Sequence, residues 1–393
     1  MRRLNRVFFS RRSYGRGEAG ARAWLKTLHE TRLIRQRLLT GFEKAGPAVS
    51  PKEFSVVGDL EHWRKGRPTI LRCLVPFSAL VLAGCSGQQS ALSPAGEESE
   101  AVYRLFVVMV IGGISIWVGV TSLLLHAARH RREAWPAEKA GALIAWGGVA
   151  FPTVVLLLLL GYAVWLMPAI RPWNPLAAKD VAIEVTGEQF WWRIRYPAVG
   201  DQPAFETANE IRLPLGRPAT FSLKATDVIH SFWIPALGGK MDMIPGRTNF
   251  LTLTPTRTGS YRAPCAEFCG ASHAYMALSV VVMEEDDYNA WRSRLIDGQA
   301  SAANEGGQLL QRHGCVGCHS LRGLQIAGQT APDLTLIGAR LSIGAGALAN
   351  TPENIARFIH SPSSVKPGAK MPAFNMLPED DIEEIARYLG GLQ

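Results

Sequence analysis

The stretch 265–276 reads Cys-Ala-Glu-Phe-Cys-Gly-Ala-Ser-His-Ala-Tyr-Met and gathers several metal-ligating side chains in one short segment. Thiolate, imidazole and thioether together suit a copper ion that cycles between Cu(I) and Cu(II), because sulfur holds the reduced ion and imidazole holds both. A mononuclear blue-copper site uses one cysteine, so the C-x3-C pair favours two metals bridged by two sulfurs. A disulfide between Cys265 and Cys269 in an exported protein is the alternative, and it leaves His273 and Met276 without a role.

A second group of motifs lies upstream, with Asp-Val-Ile-His-Ser-Phe-Trp at 227–233 and Gly-Gly-Lys-Met-Asp-Met-Ile-Pro-Gly-Arg at 238–247. A lone histidine is more often structural, but here the two motifs precede the 265–276 loop in a fixed order. With that loop, the chain resembles subunit II of the haem–copper cytochrome c oxidases, which carries a dinuclear copper centre called CuA.

The resemblance implies a ligand set and a second metal. By position, the side-chain copper ligands would be His230, Cys265, Cys269, His273 and Met276. Glu267 matches the family residue that gives its backbone carbonyl to copper and its carboxylate to a nearby Mg²⁺ shared with subunit I.

The C-terminal part contains Cys315-Val-Gly-Cys318-His319, the C-x-x-C-H pattern of a covalently attached c-type haem. The cysteines would form the two thioether bonds and His319 would be the proximal iron ligand; a redox dithiol or half of a zinc site is the alternative. Met371, in Lys-Met-Pro-Ala-Phe, is the expected second axial ligand, with Met376 as its rival. His/Met ligation raises the haem potential and suits electron transfer.

Residues 303–393 resemble a small class I cytochrome c, and a copper domain joined to a cytochrome resembles the caa3-type oxidases. The expected fold is multidomain: two transmembrane helices, then an all-β cupredoxin domain, then an all-α class I cytochrome c domain. The expected divisions are a basic extension at 1–62, a lipoprotein signal peptide at 63–84, a lipid-anchored N-terminus with a two-helix hairpin at 85–172, a periplasmic CuA domain at 173–296, a linker at 297–307 and the cytochrome domain at 308–393.

Composition indicates a membrane protein, because hydrophobic residues make up 47% of the chain and charged residues only 19%. Two long apolar runs, 102–127 and 140–167, can each cross a hydrocarbon core of about 30 Å. The basic loop between them, including Arg129, Arg131 and Arg132, should be cytoplasmic. Both outer ends then face the periplasm, which predicts a bacterial inner-membrane protein with its copper and haem domains outside.

The net charge of +9 arises at the N-terminus, where residues 1–67 hold 16 Lys/Arg against 6 Asp/Glu. The rest of the chain is close to neutral, so no basic patch remains for nucleic acid. We expect residues 1–62 to be disordered or not translated.

A lipoprotein signal follows the extension. Basic residues precede an apolar run at 73–84, which has signal-peptide length and is too short to span a membrane as a helix. The run ends in Leu-Ala-Gly-Cys, which resembles the bacterial lipoprotein cleavage box and predicts a lipidated Cys85.

From residue 181 onward, short β-like runs alternate with Gly/Pro turns, a pattern typical of a sandwich or barrel. The runs are 181–185, 189–196, 210–213, 220–225, 248–253 and 278–283. A sandwich brings loops from different strands together at one end, so His230 can reach the 265–276 loop.

The run Phe190-Trp191-Trp192 has two interpretations. Aromatic residues in a strand commonly belong to the core. In the resembling family this run holds the surface tryptophan where electrons enter from cytochrome c, and its first aromatic is commonly Trp, whereas this chain has Phe190. Glu138 is the nearest candidate for the carboxylate that feeds a proton channel in that family.

The resemblance therefore implies a subunit that passes single electrons from haem c to CuA and on to subunit I, where O₂ is reduced to water. The implied partners are subunit I and other oxidase subunits, cytochrome c or another donor, and membrane lipid. Two alternatives remain: the CuA subunit of a nitric oxide reductase, which has the same electron-input module, and a free-standing electron carrier or copper-delivery protein, against which the two spans, the second cysteine and Met276 argue.

Overall fold

The computed structural model describes residues 87–129, 136–170, 181–297, 304–322, 324 and 326–393. The expected extension, the signal peptide and Cys85 lie outside the described residues. So do positions 130–135 of the basic loop and positions 298–303 of the expected linker.

Two long apolar helices precede the domain that carries the copper motifs. The first is α1 (Glu97–Arg129); the second is continuous through α2 (Ala137–Leu143), a π-helical stretch (Ile144–Ala150) and α3 (Phe151–Ile170). Both are long and apolar enough to cross a membrane. The π-helical stretch directly precedes Pro152, whose missing N–H interrupts the regular ladder of backbone hydrogen bonds.

The start of α1 is bound to the domain that follows the two helices. Ala95 N donates to Ala236 O at 2.7 Å, and Glu97 N donates to Thr254 O at 3.0 Å. The buried Glu98 carboxylate accepts from Thr254 N at 2.9 Å. These bonds hold the copper-motif domain at the end of the first membrane helix.

The β domain, residues 181–297, is a sandwich of two sheets, as predicted. One sheet has the strand order β3-β2-β1-β5-β8 and the other β4-β10-β9, with β6 and β7 forming a separate ribbon. The strands are β1 (Val181–Glu188), β2 (Trp191–Tyr196), β3 (Phe205–Ala208), β4 (Glu210–Pro214), β5 (Ala219–Ala225), β6 (His230–Phe232), β7 (Met241–Met243), β8 (Asn249–Leu253), β9 (Gly259–Pro264) and β10 (Ala277–Met283). The sequence did not predict β3, β6, β7 or β9, which are short or lack a run of β-forming residues.

Alternating side chains build the core of the β domain. Val181, Ile183 and Val185 of β1 point inward and are buried, while the intervening residues are more exposed. β1 pairs in parallel with β5 and antiparallel with β2. The helix α4 (Glu285–Asp297) closes this core with Trp291, among other buried residues.

The C-terminal domain, residues 304–393, is mainly helical with its own core. Its elements are α5 (Glu305–Arg312), a 3₁₀ turn (Cys315–Gly317), α6 (Pro352–His360), α7 (Pro362–Val365), α8 (Glu379–Gly390), and the two-residue ribbons β11–β12 (Ser320–Leu321, Ile326–Ala327) and β13–β14 (Ser342–Ile343, Leu348–Ala349). The core joins Leu309 and Leu310 of α5 to Ile355 of α6 and Ile385 of α8. One of these helices, α5, directly precedes the haem motif, and another, α8, lies near the end of the domain.

The expected linker at 297–307 differs from the structure at both ends. Asp297 is the last residue of α4, and α5 already begins at Glu305. Gly306 shows why a glycine-rich segment is helical here: a Cβ at this position would lie 2.3 Å from Cβ of Tyr388. The glycine lets α5 pack closely against α8, so it serves packing rather than chain flexibility.

The C-terminal domain packs against the β domain through specific hydrogen bonds. They are Arg193 Nη2 to Gln329 O at 2.8 Å, Leu341 N to the Glu210 carboxylate at 2.8 Å, and Ala277 N to Ala345 O at 2.9 Å. Ala345 has a φ of +61° and is fully buried, between Gly344 and Gly346, which also have positive φ. The turn between β13 and β14 therefore contacts the β domain immediately after Met276.

Candidate metal centre

The five side chains expected to bind copper meet at one end of the β sandwich. Cys265 Sγ lies 4.0 Å from Cys269 Sγ and 3.9 Å from Nδ1 of His230. Cys269 Sγ lies 3.7 Å from Nδ1 of His273 and 3.8 Å from Sδ of Met276. Donors that share a metal at about 2.0–2.3 Å lie within roughly 4 Å of one another, so these spacings fit a metal centre.

Glu267 lies in the same loop, and its backbone carbonyl and its side-chain carboxylate have different surroundings. Its backbone carbonyl lies 3.3 Å from Cys265 Sγ, as expected for a residue that offers this oxygen to copper. Its side chain is about half exposed, with Lys240 Nζ 4.0 Å from the carboxylate. The carboxylate is therefore available to a neighbour outside the β domain.

Strand pairing brings the two parts of the site together. His230 is the first residue of β6 and therefore lies in a strand and not in a loop. The 265–276 loop connects β9 to β10 and is closed by Cys265 N donating to Met276 O at 2.8 Å. Ala266 N donates to Ser231 O at 3.0 Å, which fixes the loop beside β6.

Asp227 orients the ring of His230. Its Oδ1 lies 2.9 Å from His230 Nε2, and its Oδ2 accepts from Gln189 N at 2.7 Å. Burial opposes ionisation, but the hydrogen bonds from His230 and the backbone amides lower the pKa of Asp227. Binding Nε2 leaves Nδ1 facing the cysteines, which is the arrangement that carboxylate-bound ligand histidines use.

The two cysteines are free and do not form a disulfide. Their sulfurs are twice as far apart as in a disulfide, where the S–S bond is about 2.05 Å. The Cys269 thiol hydrogen bonds to Cys265 and lowers the pKa of Cys265, while the same contact and burial raise the pKa of Cys269. Bound cations deprotonate such thiols outright, so the donor set fits a dinuclear copper centre.

Gly187 on β1 provides the space for the His230 ring. A Cβ at this glycine would lie 2.9 Å from Cδ2 of His230 and 3.0 Å from its Cγ. Real side chains do not approach so closely, because the repulsion at this distance exceeds ordinary van der Waals contact. A larger residue at 187 would displace the imidazole.

The C-x-x-C-H motif is arranged for haem attachment. Cys315 is the first residue of a 3₁₀ turn that ends at Gly317. Cys318 directly follows this turn and is exposed. Nδ1 of His319 lies 2.7 Å from Pro332 O, which leaves Nε2 for the iron. Burial lowers the pKa of His319 and keeps the ring in the neutral, ligating form.

The environments of the two candidate methionines differ. Met371 packs against the core of the C-terminal domain, as Cys315 also does. Met376 is 72% exposed. An axial ligand must be held in the haem crevice, so the structure favours Met371.

The aromatic run is largely covered. Trp192 is fully buried and Phe190 is 7% exposed, whereas Trp191 is half-buried with the Arg193 guanidinium 4.7 Å from its ring centre. Gly368 of the C-terminal domain contributes to this covering: a Cβ there would lie 3.1 Å from Cε2 of Phe190.

Four residues of the site were missed as functional positions in the sequence. Asp227 lies three residues before His230, within the quoted motif, and its proximity was the signal that could have found it. Gly187, Gln189 and Ser272 carried no such signal, because their roles depend on contacts made across the fold.

Comparison with known families assigns both domains. Residues 197–283 match the family model for the periplasmic domain of cytochrome c oxidase subunit II, and residues 303–393 match the cytochrome c model. Cytochrome c oxidase subunit 2 of Alkalihalophilus pseudofirmus is 34% identical over 337 residues, covering 81% of this chain and 95% of that protein. This chain belongs to the cytochrome c oxidase subunit 2 family.

A second relative agrees with this assignment. Cytochrome c oxidase subunit 2 of Bacillus sp. PS3 is 30% identical over 359 residues, covering 84% of this chain and 98% of that protein. The crystal structure of the periplasmic domain of cytochrome oxidase subunit II of Bradyrhizobium japonicum shares 31% identity, with a TM-score of 0.28, over 30% of this chain and 93% of that structure.

The family settles the coarse features that the sequence predicted. The protein is the subunit II of a haem–copper oxidase, an oxidoreductase complex in which it assembles with other subunits. It combines two apolar helices that can cross a membrane, a cupredoxin domain of the family that carries CuA, and a cytochrome c domain of the family that carries haem c. The fusion is that of a caa3-type oxidase, and the interpretation as a free-standing carrier is not supported.

Proposed function

We propose that this subunit holds both redox groups of the electron-input path with the residues identified above. The CuA set is His230, Cys265, Cys269, His273, Met276 and the Glu267 carbonyl, and the haem c set is Cys315, Cys318, His319 and Met371. When bound, these groups supply one-electron transfer from haem c to CuA and on to subunit I, where O₂ is reduced to water.

One observation carries the copper assignment. Side chains from β6 and from the β9–β10 loop place two thiols, two Nδ1 atoms and a thioether at successive separations of 3.7–4.0 Å. Such a mixed sulfur and imidazole set, buried at the end of a β sandwich, suits copper that changes oxidation state.

We also propose that the C-terminal domain is the main electron donor to the copper domain. Phe190 occupies the position where the family has its electron-accepting tryptophan, and Gly368 of the C-terminal domain lies against its ring. A separate cytochrome cannot reach that ring while the two domains are packed together. Cytochrome c or another soluble donor would then deliver its electrons to the haem domain.

The second metal and subunit I would meet at Glu267. Its half-exposed carboxylate suits Mg²⁺, which prefers oxygen ligands. This carboxylate and subunit I would together hold that ion. Trp191, half-buried at the domain junction, is a secondary position for electrons to enter the copper domain.

The proposed location is the bacterial inner membrane, with both redox domains in the periplasm and Cys85 lipidated. The support is the basic loop between two apolar helices and the Leu-Ala-Gly-Cys box. Mass spectrometry of the membrane form should find diacylglycerol-modified Cys85 at the N-terminus. Abundant peptides from residues 1–60 in the mature chain would contradict this.

The function is tested on the purified oxidase complex with reduced cytochrome c as donor. The intact complex should show haem c absorbance, a mixed-valence copper EPR signal and O₂ uptake. Cys315→Ala/Cys318→Ala should abolish uptake from the donor while the copper signal remains. Met371→His, which keeps a ligated haem at lower potential, should slow it. Uptake at the intact rate in both variants would place electron input in the copper domain, and consumption of NO instead of O₂ would indicate a nitric oxide reductase.

A further inference from the structure

We propose that Ser272 is a positioning residue that holds the haem-ligand segment of the C-terminal domain against the copper loop. This inference rests on the proposed transfer from haem c to CuA and names the contact that sets its geometry. Ser272 directly precedes the copper ligand His273, and its partner Pro367 lies four residues before the haem ligand Met371. The two residues are 95 positions apart in the chain.

The hydrogen bond itself is short and shielded. Oγ of Ser272 donates to the carbonyl oxygen of Pro367 at 2.5 Å, and Ser272 has no exposed surface. A buried hydroxyl that loses its acceptor is costly, because water cannot replace the missing bond. The contact therefore favours one arrangement of the two domains over any arrangement that separates them.

A β-turn at 366–369 makes the Pro367 carbonyl available. Ala369 N donates to Lys366 O at 3.0 Å, with proline in the second position and Gly368 at φ +79° in the third. These are the features of a type II turn, in which the turn's own hydrogen bond uses the first carbonyl and leaves the central one free. Ser272 takes that free acceptor.

Gly368 completes the contact from the same turn. A Cβ on it would lie 3.1 Å from Phe190 and 3.8 Å from Cβ of Ala271. The turn thus lies on the copper loop with almost no spare space, and its φ also requires glycine. The segment leading to Met371 is held at a defined distance from the loop that carries His273.

A second polar contact at this junction is weaker. Lys370 Nζ lies 3.5 Å from the Asp227 carboxylate, but its side chain is 67% exposed. Exposed ion pairs of this kind contribute little, because water and salt screen them. Substituting Lys370 therefore provides a matched comparison at the same junction.

The experiment uses the full oxidase complex with both redox groups in place. Backbone hydrogen exchange is followed at Ala277 and Leu341, whose amides donate across the domain junction at 2.9 and 2.8 Å. Ser272→Ala should speed exchange at both amides about fivefold, the effect of losing one ordinary hydrogen bond. Lys370→Gln and Ser260→Ala, the latter at an exposed serine of β9, should leave exchange unchanged.

A second readout is the rate of haem-to-copper electron transfer after rapid photoreduction of the haem. Ser272→Ala should lower this rate, because the segment leading to Met371 is held less closely to the copper loop, while copper content, copper EPR signal and haem potential stay unaltered. If this variant loses copper, Gly368→Ala tests the same contact from the other domain and should have both effects. Unchanged exchange and an unchanged transfer rate would overturn the role of Ser272, whereas absence of transfer in the unsubstituted complex would overturn the proposed function itself.

Discussion

Nε2 of His230 lies 2.9 Å from the Asp227 carboxylate, while Nδ1 of the same ring lies 3.9 Å from the Cys265 sulfur. One ring nitrogen is thus occupied by a carboxylate and the other is directed to the metal site. This arrangement fixes the tautomer and the orientation of the ring, and it increases the basicity of the ligating nitrogen.

Replacing Asp227 with Asn should weaken copper binding without unfolding the β domain. The amide keeps the shape of the side chain but removes the charge, and its single oxygen can accept only one of the two hydrogen bonds, from His230 Nε2 or from Gln189 N. We expect copper affinity to fall by about 10–100-fold, measured by competition with a chelator. The control is Asp201→Asn in an exposed loop, and equal copper retention in the two variants would contradict this role of Asp227.

Gly187→Ala should disturb the copper centre through His230 alone. The added methyl group would lie 2.9 Å from the imidazole, so the ring must move away from the cysteines. We expect reduced copper occupancy and an altered copper EPR spectrum. Gly239→Ala is the matched control, since a Cβ there has no neighbour within 4 Å. Normal spectra in Gly187→Ala would show that the ring tolerates the methyl group.

Cys269→Ser should abolish the mixed-valence copper signal rather than weaken it. Both thiolates would be needed to hold the proposed dinuclear copper, and Cys269 also lies within 4 Å of His273 and Met276. Hydroxyl oxygen is a poor ligand for Cu(I) compared with thiolate. The measurement is EPR together with copper analysis, and one copper per subunit in the unsubstituted protein would refute the dinuclear assignment.

Met371→Ala and Met376→Ala form a matched pair in the C-terminal domain. Met371 packs against the domain core, so its loss should open the iron to small ligands and lower the haem potential. Met376 is 72% exposed, and its substitution should leave both properties unchanged. Redox titration and carbon monoxide binding distinguish the two variants; a shifted potential in Met376→Ala would reverse the assignment.

The buried Lys366 should make the C-terminal domain more stable as the pH rises. Its side chain is buried and donates to Gly344 O at 2.6 Å, and burial lowers its pKa from 10.5 to about 7. Between pH 7 and pH 10.5, Lys366 carries a proton in the unfolded chain that it lacks in the folded chain. The free energy of unfolding should therefore increase with pH across this window, by up to about 1.4 kcal/mol per pH unit.

The pH effect is measured by denaturant unfolding at pH 7.5 and 9, followed by haem absorbance in the intact complex. Lys366→Met should remove this part of the pH dependence. Lys370→Met, at an exposed lysine, should retain it. The same slope in both variants would assign the effect to another group.

The metal chemistry and the membrane architecture could be predicted from sequence because they depend on local features. The types and spacing of Cys265, Cys269, His273 and Met276 define a copper-binding loop wherever the chain folds. The C-x-x-C-H motif encodes its haem within five residues, and the length of two apolar runs is enough to indicate two spans. Alternating short runs were sufficient to predict a sandwich, although short strands such as β6 were missed.

The tertiary structure decided which residues support those ligands. Gly187 and Ser272 act through atoms that meet only after strands and domains have packed, and no local pattern marks them. The glycine-rich start of α5 has the composition of a linker, and the residue that requires Gly306, Tyr388, lies at the other end of the domain. Which residues can bind copper or iron depends on the chemistry of their side chains, and the sequence shows this chemistry directly. Ligand orientation and domain spacing result from distant contacts, whose distances are defined only in the folded chain.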